Sequence, residues 1–275
     1  MSETVWAVVP WVDLWPMTRQ AAEDVLSQTG VKTRLLLVAN DCTDVSLREA
    51  EKWVGEYNRS WDLQVPRILL WNHRPALPAL GATWNAALEF CFAAGVQDVL
   101  VPNNDCRIHP MTLHLLQTAM AEEVWSDRPR TLFISAVNAG SIPEPYAWDL
   151  TSRGGPDYSC FLISKECFEK YPFDPELTYC SDLDHHRRIL LAGEGNRIFS
   201  VNVPYHHLAS QTIKMLPGEK AHVYREQADA HRAYYARKWG GMPNQEKYRD
   251  PWSLAVGAVE GITTPELFDH VRAKW

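Results

Sequence analysis

The sequence predicts an α/β protein whose mostly parallel central sheet is flanked by helices, and three observations predict it. Short apolar runs alternate with segments of helical periodicity, the connections between them are brief, and the runs end in polar clusters. Sheets of this kind bind ligands at the C-terminal ends of their strands, where those clusters fall.

The first apolar run, Thr4 to Val9, is stopped by Pro10, which has no backbone N–H for a continuing central strand. The loop Pro10-Trp11-Val12-Asp13 leads into a helix with Met17, Ala21, Val25 and Leu26 at helical spacing. Arg34 to Val38 reads as a second strand, closed by Asn40-Asp41-Cys42-Thr43-Asp44, a cluster of turn formers and helix caps, and a polar helix follows to about Asn58. Arg67 to Trp71 is a third short strand. Leu80, Trp84, Ala87, Leu88 and Cys91 share a helical face that Gly95 closes as a C-cap. Val99-Leu100-Val101-Pro102 is then a buried strand that ends abruptly in Asn103-Asn104-Asp105.

Past His109-Pro110 a helix runs to about Val124, and Thr131 to Ala136 reads as a strand. Asn138 to Pro156 is rich in Gly, Pro and Ser, which suits a mobile loop covering a substrate rather than a core element. Tyr158 to Ile163 resumes as a strand, Asp182 to Leu191 is helical and stopped by Gly193, and Ile198 to Val203 is a last strand running into Tyr205-His206-His207. Gly218 to Trp239 reads as one long helix with Ala221, Tyr224, Ala228, His231, Tyr235 and Trp239 on a common stripe, more a core face than a stacking platform. A short helix is expected after Thr264-Pro265. One domain over 1–240 with an extension, 241–275, packed on it accounts for the whole pattern.

Composition narrows the function. The 275 residues are 46% hydrophobic and carry a formal charge of −7, enough to bury a sizeable core and not the balance of a wholesale polyanion binder. No apolar run approaches the roughly 20 residues that span a bilayer, and no basic, apolar leader opens the chain, so a soluble cytoplasmic protein without integral membrane association is expected. The six cysteines include no Cys-x-x-Cys pair, which fits reduced thiols better than a zinc knuckle or a disulfide framework.

Four polar clusters fall where this architecture converges: Asn40-Asp41, Asn103-Asn104-Asp105, Asp182-Leu183-Asp184 and His206-His207. Hard divalent cations take carboxylate oxygens and leave positions for substrate phosphates, and imidazole also suits Mn²⁺. Neighbours in an extended segment face opposite ways, so one histidine of the pair serves, and His206 is the reading preferred here.

The order of these motifs resembles the GT-A-fold glycosyltransferases, closest to their large family two, over roughly Val5 to Gly240. The likeness rests on Val8-Val9-Pro10, Asn40-Asp41 with Thr43-Asp44, Gly81-x-x-x-Asn85, the DXD-like Asn103-Asn104-Asp105 and Phe173-Asp174. It continues through Asp182-x-Asp184 with Arg187, His206-His207 with Ser210 and Thr212, and Tyr234-Tyr235-Ala236-Arg237-Lys238-Trp239-Gly240. The resemblance implies a Rossmann-like GT-A sheet with a long C-terminal helix, and an inverting, metal-dependent sugar transfer from a nucleoside-diphosphate donor, taken here as a UDP-sugar. It implies donor contacts from Pro10, Trp11, Asp41, Asn85, Asn104 and Asp105. Mn²⁺ or Mg²⁺ would lie on Asp105 with one of His206 and His207. Asp182 would be the general base, with Asp184, Arg187 and Tyr158 on the acceptor or supporting side. Asn103 stands where the family often has its first acid, and Ser181 where a Glu usually precedes the base.

The acceptor is a hydroxyl. From Tyr205 to Arg249 eight Lys and Arg stand against four Asp and Glu, a footprint compatible with a nucleic-acid backbone, so a hydroxylated DNA base, as in some phage systems, is one acceptor and a glycan, protein or small molecule the other. Two competing readings are a nucleotidyltransferase, whose Gly-rich basic loop Pro10-Trp11-Val12-Asp13 lacks, and a non-catalytic sugar- or nucleotide-binding module that kept the fold.

Overall fold

The computed structural model describes residues 4–60, 65–73, 79–121, 130–208, 214–216 and 218–252. Along the chain run β1 (Thr4–Trp11), α1 (Trp15–Leu26), β2 (Lys32–Asn40), α2 (Asp44–Ser60), β3 (Ile68–His73), α3 (Leu80–Ala93), β4 (Asp98–Pro102) and β5 (Cys106–Arg107). There follow α4 (Thr112–Ala121), β6 (Phe133–Asn138), β7 (Cys160–Ser164), α5 (Lys165–Lys170), α6 (Ser181–Leu191), β8 (Ile198–His207) and α7 (Gly218–Trp239). The helix expected after Thr264-Pro265, and Ser210 and Thr212, lie outside the described residues.

The eight strands form one sheet in the order β3-β2-β1-β4-β7-β6-β8-β5. β3, β2, β1 and β4 are mutually parallel, β7 lies antiparallel between β4 and β6, β8 runs parallel to β6, and β5 pairs antiparallel with the end of β8. The C-terminal ends of β1, β2, β4 and β8 therefore meet at one edge.

Strand alternation divides the core in two. Val5, Ala7, Val9 and Trp11 of β1, with Leu35, Leu37 and Ala39 of β2, face α1, α2 and α4. Trp6, Val8, Leu36 and Val38 face α3, where Trp84, Ala87, Leu88 and Cys91 form the apolar stripe. Strands buried on both faces show no polar alternation, which is why they read as continuous apolar runs.

Three boundaries differ from the sequence reading. β1 continues through Pro10 to Trp11, because β4 accompanies β1 only at Trp6 and Ala7 and the proline, opposite Val38, lies beyond that register. β8 extends to include His206 and His207, paired with the two residues of β5. The 138–156 segment is a loop, but it is tied along β8 rather than free of it: Asp149 donates its N–H to the Asn202 carbonyl at 3.0 Å, Arg153 to that of Ser200 at 2.8 Å, and Ser152 bridges Val201. No helix among the described residues is long and apolar enough to cross a membrane.

Candidate active site

β4 ends at Pro102 and the chain turns through Asn103-Asn104-Asp105, closed by the Cys106 N–H donating to the Asn103 carbonyl at 3.1 Å. The Asn104 amide donates to Thr18 Oγ at 3.2 Å and fastens this turn to α1. Asp105, 4% exposed, points to β8, where His207 Nε2 lies 3.1 Å from its Oδ1, and the Leu208 N–H binds its backbone carbonyl at 2.9 Å. The Asp105 carboxylate holds the His207 imidazole above its usual pKa against the opposing effect of burial.

His207, not His206, is the residue brought to Asp105. In the β5–β8 ladder His206 lies opposite Arg107 and His207 opposite Cys106, and alternation sends the two to different faces. A carboxylate oxygen and an imidazole nitrogen this close, at the end of a buried strand, fit a divalent cation such as Mn²⁺ or Mg²⁺ with its other positions left to water or phosphate oxygens. Cys106 stands in the same cluster: its Sγ, an Asp105 oxygen and a His207 ring nitrogen all lie within 4.8 Å of one another.

Asp182 lies in the first turn of α6, whose N-cap Cys180 adopts a left-handed backbone (φ 64°). Its side chain keeps some solvent access, yet burial pushes its carboxyl above the usual carboxylate range and the nearby charge of Asp157 adds to the effect, while backbone N–H groups oppose it. A carboxylate with a raised pKa and an accessible edge can accept a hydroxyl proton. One turn on, burial lowers the pKa of His186.

At the β1 and β2 ends, Asp41 is exposed with φ 57°. Lys220 of α7 reaches across to it: Nζ donates to the Asp41 carbonyl, lies 3.5 Å from Asp41 Oδ2 and donates to Asp13 Oδ2 at 2.8 Å. Asp13 also caps α2, accepting from Thr43 N–H at 2.6 Å and Thr43 Oγ at 2.7 Å; burial raises its carboxyl, but the Lys220 and Thr43 hydrogen bonds outweigh burial and leave it below the usual value. Leu216, Ala221 and Tyr224 pack against Val12 on the same side.

Several residues singled out from sequence have other occupations. Pro10 is buried inside β1, and Trp11, 2% exposed, turns into the core against Trp15 with ring centroids 5.4 Å apart, so Asp13, not Trp11, is joined to Asp41 through Lys220. Asn85 donates to the Phe173 carbonyl at 2.7 Å and accepts the Phe173 N–H at 2.8 Å. Tyr158 is a core residue, its hydroxyl 2.8 Å from His185 Nδ1.

Asp184 is fully buried, taking Trp239 Nε1 at 2.8 Å, Arg188 Nε at 2.9 Å and Lys238 Nζ at 2.7 Å. Arg187 stacks over Trp239 at 4.8 Å and donates to the Tyr248 carbonyl at 2.8 Å. Two residues apart in the first turn of α6, Asp182 thus keeps partial exposure while Asp184 is turned to the interior.

Sequence reasoning missed Asp157, Cys106, Asp13 and Lys220. Asp157 accepts the Tyr205 hydroxyl at 2.7 Å and the Ser159 N–H at 2.9 Å, and its charge is felt at both Asp182 and His207. Its one sequence signal is its place just before β7, after the Gly154-Gly155-Pro156 turn.

No protein-family model and no curated protein matches the sequence. Among solved structures the chain is similar to glucosyl-3-phosphoglycerate synthase from Mycobacterium tuberculosis in complex with Mn²⁺, UDP and glucosyl-3-phosphoglycerate, with TM-score 0.53 and 13% identity over 83% of this chain and 78% of that one. It is similar to S. aureus TarS 1-349 in complex with UDP, with TM-score 0.51 and 18% identity over 88% of this chain and 73% of that one. The mannosyltransferase PcManGT from Pyrobaculum calidifontis, in complex with GDP-Man and Mn²⁺, aligns with TM-score 0.49 and 16% identity over 85% of this chain, which spans 63% of the length of that protein. The fold of this chain is the GT-A fold, long C-terminal helix included.

Proposed function

We propose that this chain is a metal-dependent glycosyltransferase that moves a sugar from a nucleoside-diphosphate donor, a UDP-sugar, to an acceptor hydroxyl by single displacement. The observation that carries the reading is the meeting of Asp105 and His207 at the ends of β4 and β8, 3.1 Å apart, with the charge of Asp157 acting on both His207 and Asp182. Asp105 and His207 would hold Mn²⁺ or Mg²⁺, and such a cation offsets the charge that develops on a departing diphosphate.

The protein's own groups supply the rest. The surface at the ends of β1 and β2, around Asp13 and Asp41, takes the nucleoside. Asp182 removes the acceptor proton, and its raised pKa makes it a stronger base than an ordinary carboxylate. Asn85 and Asn104 act as scaffold. Proteins of similar fold in complex with Mn²⁺ and UDP support this choice of donor and metal.

For the acceptor, the basic count after Tyr205 favours DNA less than it promised. Lys220 is spent on Asp13 and Asp41, Lys238 on Asp174 and Asp184, Arg232 on Asp229, and His222 faces Glu226. A neutral hydroxyl compound suits this surface better than a polyanion.

Calorimetric titration with UDP, GDP, CDP and dTDP, with Mn²⁺ or with chelator, tests the reading on the wild type and on Asp105→Ala. Metal-dependent preference for UDP, lost in the variant, is expected; binding of none of the four nucleotides refutes the reading. Slow metal-dependent release of UDP from a UDP-sugar separates an enzyme from a binding module.

A further inference from the structure

The donor set beside Asp105 is not limited to oxygen and nitrogen. Cys106 stands directly opposite His207 in the antiparallel β5–β8 ladder, and residues so paired share a face with Cβ atoms about 4.5–5.5 Å apart. Asp105 precedes Cys106 and turns its carboxylate back to the same imidazole, so that an oxygen, a sulfur and a nitrogen lie within 4.8 Å of one another. The thiol is 1% exposed and donates to the Ser159 carbonyl at 3.1 Å, a weak hydrogen bond that a metal bond can replace.

The turn that carries these residues holds Asn103 and Asn104 before its single acid, so a cation there finds one carboxylate rather than two. Hard cations prefer oxygen-rich sites, whereas thiolate selects zinc and its relatives. Three protein ligands drawn from Cys, His and Asp, with a fourth position open, are the pattern of a catalytic zinc site.

We propose that Cys106 is a third protein ligand of this metal centre, beside Asp105 and His207, and that the centre takes Zn²⁺ or Co²⁺ more tightly than Mn²⁺. The inference rests on the reading of Asp105 and His207 as metal ligands. On binding, the Cys106 thiol would give its proton to solvent and its sulfur would bind the cation together with Asp105 and His207, and the cation would supply a site for an oxygen of the donor diphosphate.

The test is an optical titration of the metal-free, full-length chain with Co²⁺, since a thiolate-to-cobalt charge-transfer band in the near ultraviolet appears only when sulfur is bound. The band should saturate at one Co²⁺ per chain and disappear when Zn²⁺ displaces it. It should be absent in Cys106→Ser and present in Cys160→Ser, the neighbouring buried thiol of β7.

Loss of an outer-shell partner weakens metal affinity by about 10–100-fold, so removal of the Cys106 sulfur should weaken Zn²⁺ by at least about 100-fold. Mn²⁺-dependent UDP binding should survive in Cys160→Ser. Co²⁺ bound without the band, or a band that persists in Cys106→Ser, overturns the proposal. If Cys106→Ser does not fold, the wild-type band decides together with Asp105→Asn and His207→Ala: a band insensitive to both belongs to another thiol and overturns it. Failure of Co²⁺ and Zn²⁺ to bind while Mn²⁺-dependent UDP binding persists overturns the role of Cys106 alone. Loss of both overturns the metal centre itself.

Discussion

Two clusters of charge, one around Asp184 of α6 and one at the ends of β4 and β8, are built to opposite ends. On the inner side Lys238 Nζ donates to Asp174 at 2.6 Å and lies 2.7 Å from Asp184, which also takes Arg188 and the Trp239 indole, while Tyr234 adds its hydroxyl to Asp174. All three central residues are less than a tenth exposed. On the outer side Asp105 has one imidazole and a neighbouring thiol, and Asp182 has no cation bonded to it among the described residues. Buried acids whose charge is matched act as a brace, because separating them from their partners leaves a charge out of water. Acids that face only a histidine, or each other's field, gain from a cation or a proton brought by a ligand.

The brace also explains how the outer side is positioned. Gly81 lets α3 approach the 174–177 segment so closely that a Cβ there would lie 2.1 Å from the Asp174 carbonyl, and Asn85 grips Phe173 one turn along. This Gly-x-x-x-Asn pair holds the strap that leads into Asp182.

The widest separation between the two sides should come from Asp182→Asn. Loss of a general base lowers turnover by about 10²–10⁴-fold. Because burial raises the Asp182 carboxyl, the neutral amide should not lower the unfolding midpoint, and Mn²⁺-dependent UDP binding should remain. The acid limb of the wild-type rate profile should lie above the ordinary carboxylate range and vanish in the variant; a profile that the substitution leaves unchanged moves the base elsewhere.

Lys238→Met should show the reverse pattern. It strands Asp174 and Asp184 in the interior, and removing one partner of a buried pair costs about 3–5 kcal/mol, to be read by urea unfolding. UDP binding at low temperature should persist. A variant that unfolds like the wild type yet binds no UDP would exchange the roles of the two clusters.

Asn85→Ala addresses the strap. It leaves the Phe173 N–H and carbonyl without their partner, a cost of about 1–3 kcal/mol, and should lower turnover more than UDP affinity, since Asp182 rather than the donor surface loses its support. A loss confined to UDP affinity would return Asn85 to the donor contact that its motif suggested.

Most of the fold was legible because the strands other than β5 are apolar runs and the longer helices bury an apolar face, as α7 does with Tyr224, Tyr235 and Trp239. The site was legible in part. Asp105 and Asp182 announce themselves by ending a strand and opening a helix. The choice between His206 and His207 was not, since it is set by register with β5, a two-residue strand that no periodicity marks. Cys106 escaped because metal-type cysteines are sought at short spacings, while this cluster closes over 102 residues. Asn85 read as a donor contact, and Asp184, Arg187 and Tyr158 as acceptor-side or supporting residues, because a polar residue in a motif looks the same whether it faces a substrate or a brace; only burial separates the two.

The smallest effect is the pH dependence of the brace. Burial raises the Asp174 carboxyl, but the hydrogen bond from Lys238, the Glu176 N–H and the Tyr234 hydroxyl outweigh it, so its folded pKa lies below the unfolded value of about 3.9. A carboxyl depressed on folding contributes stability that is fully present above the unfolded pKa and is lost as pH falls through the folded one. Stability measured by urea unfolding should therefore decline below about pH 4, and Asp174→Asn should flatten that decline while lowering stability at neutral pH. Asp182 has the opposite sign: its raised carboxyl costs stability as pH rises above the unfolded pKa, so Asp182→Asn should leave the acid decline in place and gain slightly at neutral pH. If the two variants shift the curve in the same direction, Asp174 and Asp182 are not divided between a brace and a site.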